Sequence, residues 1–248
     1  MRTITALFVG LGSIGTRHLK NLANLCADRG WTLQADALRS DLTRPLRPGA
    51  AELLHAQYTD LAAAPAHYDM VFITNPTSLH AEALRQGKGR GEALFIEKPI
   101  FSAEQTGLAL DELLPAGQKA YVAAPMRWCG AMLALKDRLP ALHPYCARVI
   151  CSSYLPDWRP GVDYRTVYSA RKALGGGVTI DLIHEWDYLV ELFGVPEKLY
   201  NFKGTYSELE IDSDDLSVYI AKYPTLLAEV HLDYFGRGYR RSIELFCR

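Results

Sequence analysis

The sequence predicts a doubly wound α/β domain, in which helices cover both faces of a parallel sheet, followed by an α+β domain with a mainly antiparallel open sheet. In the first half, short apolar runs alternate with longer amphipathic stretches, a pattern typical of parallel strands joined by right-handed helical crossovers. In the second half, alternating apolar and polar runs are separated only by short turns at Pro224-Thr225 and Gly236-Arg237-Gly238. We therefore expect two domains, over residues 1–123 and 124–248.

The first domain is predicted from hydrophobic periodicity, taken in chain order. The pattern predicts strands over 5–10, 31–38, 69–74, 92–96 and 120–124. It predicts the intervening helices over 15–27, 50–54, 78–85 and 103–114.

The second domain begins with a predicted helix over 129–139 and a strand over 147–154. A long irregular segment follows, with Pro156, Trp158, Pro160 and Gly161. One helix is then expected over 178–193. Four alternating runs predict an antiparallel meander, over 198–206, 216–223, 226–234 and 240–246.

Composition excludes several classes of protein. With 27 Lys and Arg against 28 Asp and Glu, the formal net charge is −1, so there is no general electrostatic attraction to nucleic acid or to an anionic membrane. No apolar run approaches the roughly 18–20 residues that span a bilayer, and Gly10 and Gly12 interrupt the early apolar stretch that a signal peptide would need. A soluble, cytoplasmic protein is expected.

The cysteines predict neither a disulfide framework nor a metal site. Their number is five, which is odd, and they fall in no CxxC or Cys/His ligand spacing. We expect buried thiols and no bound metal.

A glycine-rich turn directly after the first predicted strand carries the strongest functional signal. It contains Gly10, Gly12, Ser13, Ile14 and Gly15 in the pattern GxGxxG and is followed by a helix. Gly10 suits a tight turn, Gly12 lets the backbone approach a pyrophosphate, and Gly15 allows close contact between helix and strand. The helix N-terminus then holds phosphates through its unpaired N–H groups. The sequence therefore predicts a Rossmann domain that binds a dinucleotide.

The choice of dinucleotide depends on where the second strand ends. An acidic residue there holds the adenosine ribose of NAD, whereas a basic one accepts the 2′-phosphate of NADP. If the strand ends at Leu38, Arg39 and Ser40 occupy the turn and NADP is favoured; if it ends sooner, Asp36 favours NAD. We favour NADP, and a solvated surface role for Arg39 is the alternative.

Three further segments complete a pattern that resembles the Gfo/Idh/MocA oxidoreductases, named for glucose-fructose oxidoreductase, inositol 2-dehydrogenase and a rhizopine catabolism protein. They read TNPTSLH over 74–80, EKPI over 97–100 and GGGVTIDLIHE over 175–185. They occur in family order with family spacing, and together with the glycine turn they cover essentially the whole chain.

The resemblance implies site residues for the cofactor. The turn after the 69–74 strand would lie along the cofactor, which makes candidate contacts of Thr74, Asn75, Pro76 and His80. For His80, a position on the helix surface is the alternative. Glu97 would approach the nicotinamide ribose, Lys98 would be a catalytic or substrate-orienting residue, and the bond to Pro99 is expected to be cis. Arg127 resembles a family arginine in the active-site cleft and is a candidate cofactor contact.

The predicted helix after the glycine triplet would combine an acid, an imidazole and a phenol on one face. At about 100° per residue, Asp181, His184, Glu185 and Tyr188 fall within an arc of about 100°. We expect the opposite, apolar side to anchor the helix and this polar face to be open. His184 would then be a general base, since its unperturbed pKa is about 6.5. Asp181 would orient that ring or hold a substrate hydroxyl.

Two departures from the usual family pattern bear on the substrate and on the length. Many members place the histidine four residues after the aspartate, whereas Asp181 and His184 are three apart, and this DxxHExDY form resembles a branch of enzymes that modify sugars for cell-surface polysaccharides. The segment over 154–165 belongs to the same branch pattern. Its aromatic and cationic side chains suit a pyranose or its nucleotide, which makes candidate substrate contacts of Trp158, Tyr164 and Arg165. The chain also stops soon after the 240–246 strand, so either a short member or a truncated form is expected.

The combined expectation is an NAD(P)-dependent oxidoreductase that moves a hydride between the nicotinamide and a carbon of a sugar or nucleotide sugar. His184 would take the hydroxyl proton and Lys98 would polarise the developing carbonyl oxygen. A homo-oligomer, dimer or tetramer, is expected through the C-terminal sheet, because the edge over 240–248 is open to pairing. The alternatives are a non-sugar substrate such as a diol or cyclic imine, and a cofactor-binding regulator without catalysis.

Overall fold

The computed structural model describes residues 1–102, 105 and 107–248. Contacts between Cα atoms divide the chain into two compact units, Met1–Ala123 and Ala124–Arg248. Each unit has its own sheet and its own hydrophobic core.

The first unit contains a six-stranded, all-parallel sheet in the order β3-β2-β1-β4-β5-β6. The strands are β1 (Thr3–Val9), β2 (Thr32–Leu38), β3 (Leu54–Tyr58), β4 (Tyr68–Ile73), β5 (Gly91–Ile96) and β6 (Lys119–Val122). Successive residues of β1 enter different apolar clusters, Leu7 one and Phe8 another, because side chains alternate along a strand. Both clusters are buried, which confirms the predicted doubly wound α/β architecture.

The helices of this unit are α1 (Ser13–Asp28), α2 (His80–Gln86) and α3 (Leu110–Leu113). The helix predicted over 50–54 was wrong: a 3-10 turn at Ala51–Leu53 leads directly into β3. That strand was missed because it is a short edge strand whose side chains are half-buried or exposed. The helix predicted over 103–114 is α3 alone within the described residues, and positions 103, 104 and 106 lie outside them.

The second unit contains a five-stranded mixed sheet in the order β11-β7-β10-β9-β8. Its strands are β7 (Pro144–Tyr154), β8 (Lys198–Gly204), β9 (Leu216–Lys222), β10 (Leu227–Asp233) and β11 (Phe235–Cys247). The pairs β8–β9, β9–β10 and β7–β11 are antiparallel, as expected for a mainly antiparallel sheet, and β10 runs parallel to β7.

The predicted meander holds for three strands and was wrong for the fourth. After β10 the chain crosses the end of β7 at Tyr234, whose carbonyl accepts the Leu155 N–H at 2.8 Å, and β11 pairs with the far side of β7. The glycine pair at Gly236 and Gly238, predicted as a hairpin turn, instead forms an irregularity inside β11, where the register shifts between Phe235 and Arg240.

The helices of the second unit are α4 (Gly130–Leu142), α5 (Val178–Asp181) and α6 (His184–Phe193). The single helix predicted over 178–193 is therefore two helices, separated by Leu182 and Ile183. Its expected open polar face was wrong, because Asp181, Glu185 and Tyr188 are only 6%, 0% and 2% exposed. These polar groups can be buried because partners elsewhere in the unit satisfy them.

Neither a membrane-spanning helix nor a metal-binding cluster occurs among the described residues. None of the helices there combines the length and the apolar character needed to cross a membrane. No cluster of potential metal ligands occurs in that part of the chain. The five cysteines are free thiols, of which Cys26 and Cys151 are buried.

Candidate active site

The glycine turn has the backbone geometry that its sequence predicts. Gly10 has a φ of 85°, and a Cβ there would lie 2.6 Å from the Cα of Asn75. A Cβ on Gly15 would lie 2.6 Å from the Gly10 carbonyl oxygen, so only glycine lets α1 approach β1 this closely. A Cβ on Gly12 would meet nothing within 4 Å. The turn is therefore tightly packed on its inner side and open at Gly12.

The start of α1 is suited to hold phosphates. Gly12 is the N-cap residue, no side chain caps the helix, and no acidic residue lies in its first turn. Gly12 and Ser13 are exposed and Ile14 is half-buried. The first N–H groups of the helix and its positive dipole end thus face an open space that a pyrophosphate can enter. The residues present fit the dinucleotide that the sequence predicts.

The end of β2 lies beside this turn. The Gly10 N–H donates to the Leu38 carbonyl at 2.9 Å, and Leu38 is the last residue of the strand. Arg39 therefore occupies the position after the strand on which the choice between NAD and NADP depends. Ser40 beside it is exposed. The Arg39 guanidinium donates to Gln57 Oε1 at 2.7 Å and to the Arg44 carbonyl at 2.5 Å. Arg39 lines a cleft of about 430 Å³.

Asp36, the alternative ribose contact, lies inside the unit and is 2% exposed. Its carboxylate accepts the Tyr68 hydroxyl at 2.8 Å and lies 3.2 Å from His55 Nδ1. Burial and the hydrogen bond to Asp36 raise the pKa of Tyr68. This carboxylate is occupied by groups of its own unit.

The turn after β4 packs directly on the glycine turn. Thr74 Oγ1 donates to the Gly10 carbonyl at 2.5 Å, and Asn75 is the residue that a side chain at Gly10 would strike. Asn75 Oδ1 is buried and has no hydrogen-bond partner among the described residues. Pro76 is exposed. These candidate cofactor contacts are thus gathered beside the phosphate turn.

His80 joins the turn after β4 to the segment after β5. It is 1% exposed, with Nε2 at 2.9 Å from the Asn75 carbonyl and Nδ1 at 3.1 Å from the Ile100 carbonyl. Burial lowers the pKa of His80, although both backbone carbonyls favour the charged ring. The structure therefore places this predicted cofactor contact in the interior, where it positions two loops.

Glu97 and Lys98 follow β5 at the same edge of the sheet. The Glu97 N–H donates to the Ile73 carbonyl at 2.9 Å, which aligns this segment with the end of β4. Glu97 Oε2 accepts the Lys98 N–H at 3.2 Å, and the Lys98–Pro99 bond is cis, as expected. The candidate residues of the first unit thus share the carboxyl edge of its parallel sheet, where ligands of open α/β sheets bind.

His18 was missed by the sequence analysis. Its Nε2 lies 2.5 Å from Glu97 Oε1, and its ring packs against Phe95 at 4.7 Å between centroids. The sequence signal that could have identified His18 is its position on α1, three residues after Gly15. This spacing puts both residues on the same helix face.

Asp181 holds two tyrosines in the second unit. The hydroxyls of Tyr168 and Tyr234 each donate to one of its carboxylate oxygens, the latter at 2.6 Å. Burial and the neighbouring Asp181 raise the pKa of both phenols. His184 is the first residue of α6 and is half-buried. Asp181 therefore fixes the segment that leads to His184.

Glu185 and Arg241 form an ion pair that the sequence did not predict. Glu185 is fully buried, and its Oε1 lies 2.7 Å from Arg241 Nη2. Burial raises the pKa of the adjacent Cys151 to about 12, so the thiol stays protonated at neutral pH.

Arg127, a predicted cofactor contact, is held within the second unit by Asp187 at 2.6 Å and Glu191 at 2.7 Å. This connects the turn at Pro125–Trp128 to α6.

The residues predicted to contact substrate separate into two groups. Trp158 lines a cavity of about 520 Å³, together with Leu182, which lies two residues before His184. Arg165 instead forms ion pairs with Asp163 at 2.9 Å and with Glu210, which is distant in the sequence, at 2.6 Å. Tyr164 accepts the Glu210 N–H at 3.2 Å, and neither Tyr164 nor Arg165 lines that cavity.

Comparison with known proteins identifies the first unit. A family model described as an oxidoreductase family with an NAD-binding Rossmann fold, GFO_IDH_MocA, matches residues 4–123. Among curated proteins, the chain is 26% identical over 134 residues to scyllo-inositol 2-dehydrogenase (NAD(+)) of Bacillus subtilis, which is 54% of this chain and 39% of that protein. It is 26% identical over 200 residues to inositol 2-dehydrogenase of Rhizobium meliloti, which is 77% of this chain and 56% of that protein. The matches thus span 32% to 56% of the length of the curated relatives.

Solved structures extend the likeness in fold to both units. The WlbA dehydrogenase of Bordetella pertussis, solved with NADH and UDP-GlcNAcA, is 18% identical with a TM-score of 0.79, covering 100% of this chain and 76% of that one. At this identity the likeness shows a shared fold. The amino-terminal Rossmann unit, over residues 4–123, thus matches the Gfo/Idh/MocA oxidoreductase family.

Proposed function

We propose that the protein is an NAD(P)-dependent dehydrogenase that moves a hydride between the cofactor and a carbon of a sugar or nucleotide sugar. The observation that carries this proposal is the grouping of the glycine turn, Asn75 and the Glu97-Lys98 segment at one edge of the sheet, with open space at Gly12. A phosphate cradle and a charged segment at the same sheet edge are what a dinucleotide-dependent enzyme requires.

The first unit would hold the dinucleotide by its backbone. The N–H groups after Gly12 would bind the pyrophosphate, and Thr74, Asn75 and Pro76 would lie along the cofactor. Glu97, held by His18, would contact the nicotinamide ribose. When bound, the nicotinamide supplies a centre that accepts or donates a hydride.

Lys98 and His184 are the proposed catalytic residues, acting on one carbon–oxygen bond of the substrate. The Lys98 ammonium would stabilise negative charge on the oxygen, and the His184 imidazole would take the hydroxyl proton in oxidation and return it in reduction. Asp181, which accepts two tyrosine hydroxyls, would position the start of α6. Arg127, with its two carboxylate partners, would act by orienting α6.

A sugar-like substrate is supported by the proteins that the chain resembles. Two curated relatives are inositol dehydrogenases, and the Bordetella enzyme was solved with a nucleotide sugar. The aromatic side chain of Trp158 beside the segment before His184 suits a pyranose ring.

NADP is the cofactor that we propose. β2 ends at Leu38, so Arg39 and Ser40 occupy the turn where a 2′-phosphate would lie, and Arg39 shares its cleft with Arg44 and Arg47. Asp36, the residue that would favour NAD, is buried against Tyr68.

We also propose that the protein forms a homo-oligomer and is located in the cytoplasm. The outer strand β8 exposes Tyr200 and Phe202, which are 62% and 76% exposed and would be covered by a second copy of this sheet.

The test is a substrate panel with both cofactors. Purified protein would be mixed with NAD or NADP and with sugars, nucleotide sugars, inositols and diols, and separately with NADH or NADPH and cyclic imines. Reduced nicotinamide would be followed by absorbance in both cases. Turnover of a sugar with cofactor supports the proposal. Turnover restricted to diols or imines contradicts the substrate class, and cofactor binding without turnover of any compound points to a regulator.

A further inference from the structure

The second unit contains a cavity of about 520 Å³ between the segment after β7 and the irregular start of β11. Its lining includes three arginines and three aromatic residues, Arg159, Arg237, Arg241, Tyr154, Trp158 and Tyr239. We call it the arginine cavity. It reaches Leu182, which ties it to the segment before His184.

The charge in the arginine cavity is not balanced by carboxylates. Arg241 is paired with Glu185, and Asp157 is the single acidic residue in the lining. Within the described part of the chain, Arg159 and Arg237 have no ion pair. The Arg159 guanidinium lies 6.0 Å from the centre of the Tyr168 ring, and that of Arg237 lies 3.8 Å from the centre of the Tyr154 ring. The cavity thus keeps an excess of positive charge, which attracts an anion.

Arg237 is held in a defined place by the irregularity in β11. The Gly236 N–H donates to Asp233 Oδ1 at 2.7 Å, and a Cβ on Gly236 would lie 1.9 Å from Ser152 Oγ. Asp233 is 3% exposed and accepts the Ser152 hydroxyl at 3.0 Å. The backbone before Arg237 is therefore fixed.

Aromatic residues of the lining are also held by their neighbours. Trp158 donates its indole N–H to Ser153 Oγ at 3.0 Å and packs edge-on against Tyr234 at 5.2 Å between centroids. The Arg237 guanidinium stacks on Tyr154, which leaves its N–H groups at the edge of the plane to bind oxygen atoms in pairs. A ring against Trp158 and an oxyanion against Arg237 are thus compatible with one ligand.

We propose that the arginine cavity binds the anionic group of the substrate, a carboxylate or a phosphate attached to the sugar. This inference rests on the proposed dehydrogenase function and narrows its substrate class from sugars in general to acidic, phosphorylated or nucleotide-linked sugars. The two arginines without carboxylate partners, Arg159 and Arg237, are the specificity-determining residues.

The experiment measures ligand binding by calorimetry in the full chain with cofactor present. The probes are glucuronic acid, glucose 6-phosphate, UDP-glucose and UDP-glucuronic acid, with glucose and myo-inositol as neutral references. Carboxylate and phosphate sources are distinguished by which probe binds. The variants are Arg159→Gln, Arg237→Gln, their double variant and Arg237→Lys. Arg240→Gln is the matched control, because Arg240 lies on the same strand, pairs with Glu244 at 3.1 Å and is outside the cavity lining.

We expect at least one anionic probe to bind more tightly than its neutral reference. Each Arg→Gln change should weaken that binding about tenfold or more, since a hydrogen bond to a charged group is lost. Arg237→Lys should restore part of it and Arg240→Gln should change nothing. Cofactor affinity and far-ultraviolet circular dichroism, unchanged in each variant, exclude a folding defect.

Three results would overturn the inference: neutral sugars that bind as tightly as anionic ones, anion binding that survives in the double variant, or equal loss in Arg240→Gln. Sugar turnover that persists in such a case leaves the dehydrogenase function standing. Anion binding through these arginines without turnover of any sugar would support the cavity and contradict the dehydrogenase.

Discussion

The imidazole of His18 meets the carboxylate of Glu97, with 2.5 Å between Nε2 and Oε1. This contact joins the helix behind the glycine turn to the segment that leads to Lys98. Both side chains are largely buried, at 16% and 12% exposed, so each depends on the other to satisfy its polar atoms. The proposed phosphate site and the proposed catalytic lysine are therefore mechanically connected.

Removing this contact should cost stability and turnover together. His18→Ala leaves the Glu97 carboxylate partly buried without its ring partner, which should lower the free energy of unfolding by about 1–3 kcal/mol. Urea unfolding measures the loss, and initial rates measure turnover. Arg17→Ala, an exposed neighbour on α1, is the control and should behave as wild type. Equal stability of His18→Ala and Arg17→Ala would contradict the connection.

Substitutions at Gly15 and Gly12 should affect stability and cofactor binding differently. Gly15→Ala puts a Cβ 2.6 Å from a carbonyl oxygen and 2.8 Å from Thr74 Oγ1, so it should destabilise the unit by about 1–3 kcal/mol. Gly12→Ala meets open space and should change stability by less than about 1 kcal/mol. It should nevertheless weaken NAD(P) binding, because its methyl group enters the space proposed for the pyrophosphate. Thermal unfolding and fluorescence titration measure the two effects, and full cofactor affinity in Gly12→Ala argues against this phosphate site.

Arg39 should distinguish the two cofactors. Arg39→Ala removes the cation proposed for the 2′-phosphate, so NADP affinity should fall about tenfold or more while NAD affinity changes little. Fluorescence titration with NADP, NAD and 2′-AMP provides the comparison, with Arg29→Ala at the end of α1 as the control. If wild type binds NAD more tightly than NADP, or if Arg39→Ala weakens both equally, Arg39 does not select the cofactor.

His80 should make stability depend on pH. Burial lowers its pKa in the folded protein below the unfolded value of about 6.5, so the unfolded chain binds more protons between the two values. The contribution of His80 to the free energy of unfolding is therefore complete above the unfolded pKa, and it decreases as the pH falls toward the folded pKa. Urea midpoints of wild type and His80→Gln across this window give the difference that belongs to His80, since the other histidines are common to both proteins. Parallel pH profiles would show that His80 does not titrate as its burial requires.

Local sequence signals predicted the parts of the structure that depend on neighbours in the chain. The glycine turn was predictable because Gly10 and Gly15 occupy positions where a Cβ would strike backbone or neighbouring side-chain atoms. The break between Asp181 and His184 was not, because the helical periodicity continues across it and the stabilising partners, Tyr168 and Tyr234, come from distant segments.

The pairing between distant strands could not be predicted from the sequence either. A turn signal at Gly236 and Gly238 indicates a change of direction but does not say which strand comes next, and β11 pairs with β7 through residues about ninety positions away. The ion pair between Glu185 and Arg241 depends on that pairing, since Arg241 lies opposite Cys151 on β7. The arginine cavity therefore could not be anticipated from the sequence.

The most direct test of the account is the turnover of Lys98→Met and His184→Ala, measured with the sugar and cofactor that the wild-type protein uses best. We expect turnover to fall about 10²–10⁴-fold in each variant while cofactor affinity stays nearly unchanged, because each removes a group that we propose acts on the reacting carbon–oxygen bond. Wild-type turnover in either variant would contradict the proposed chemistry.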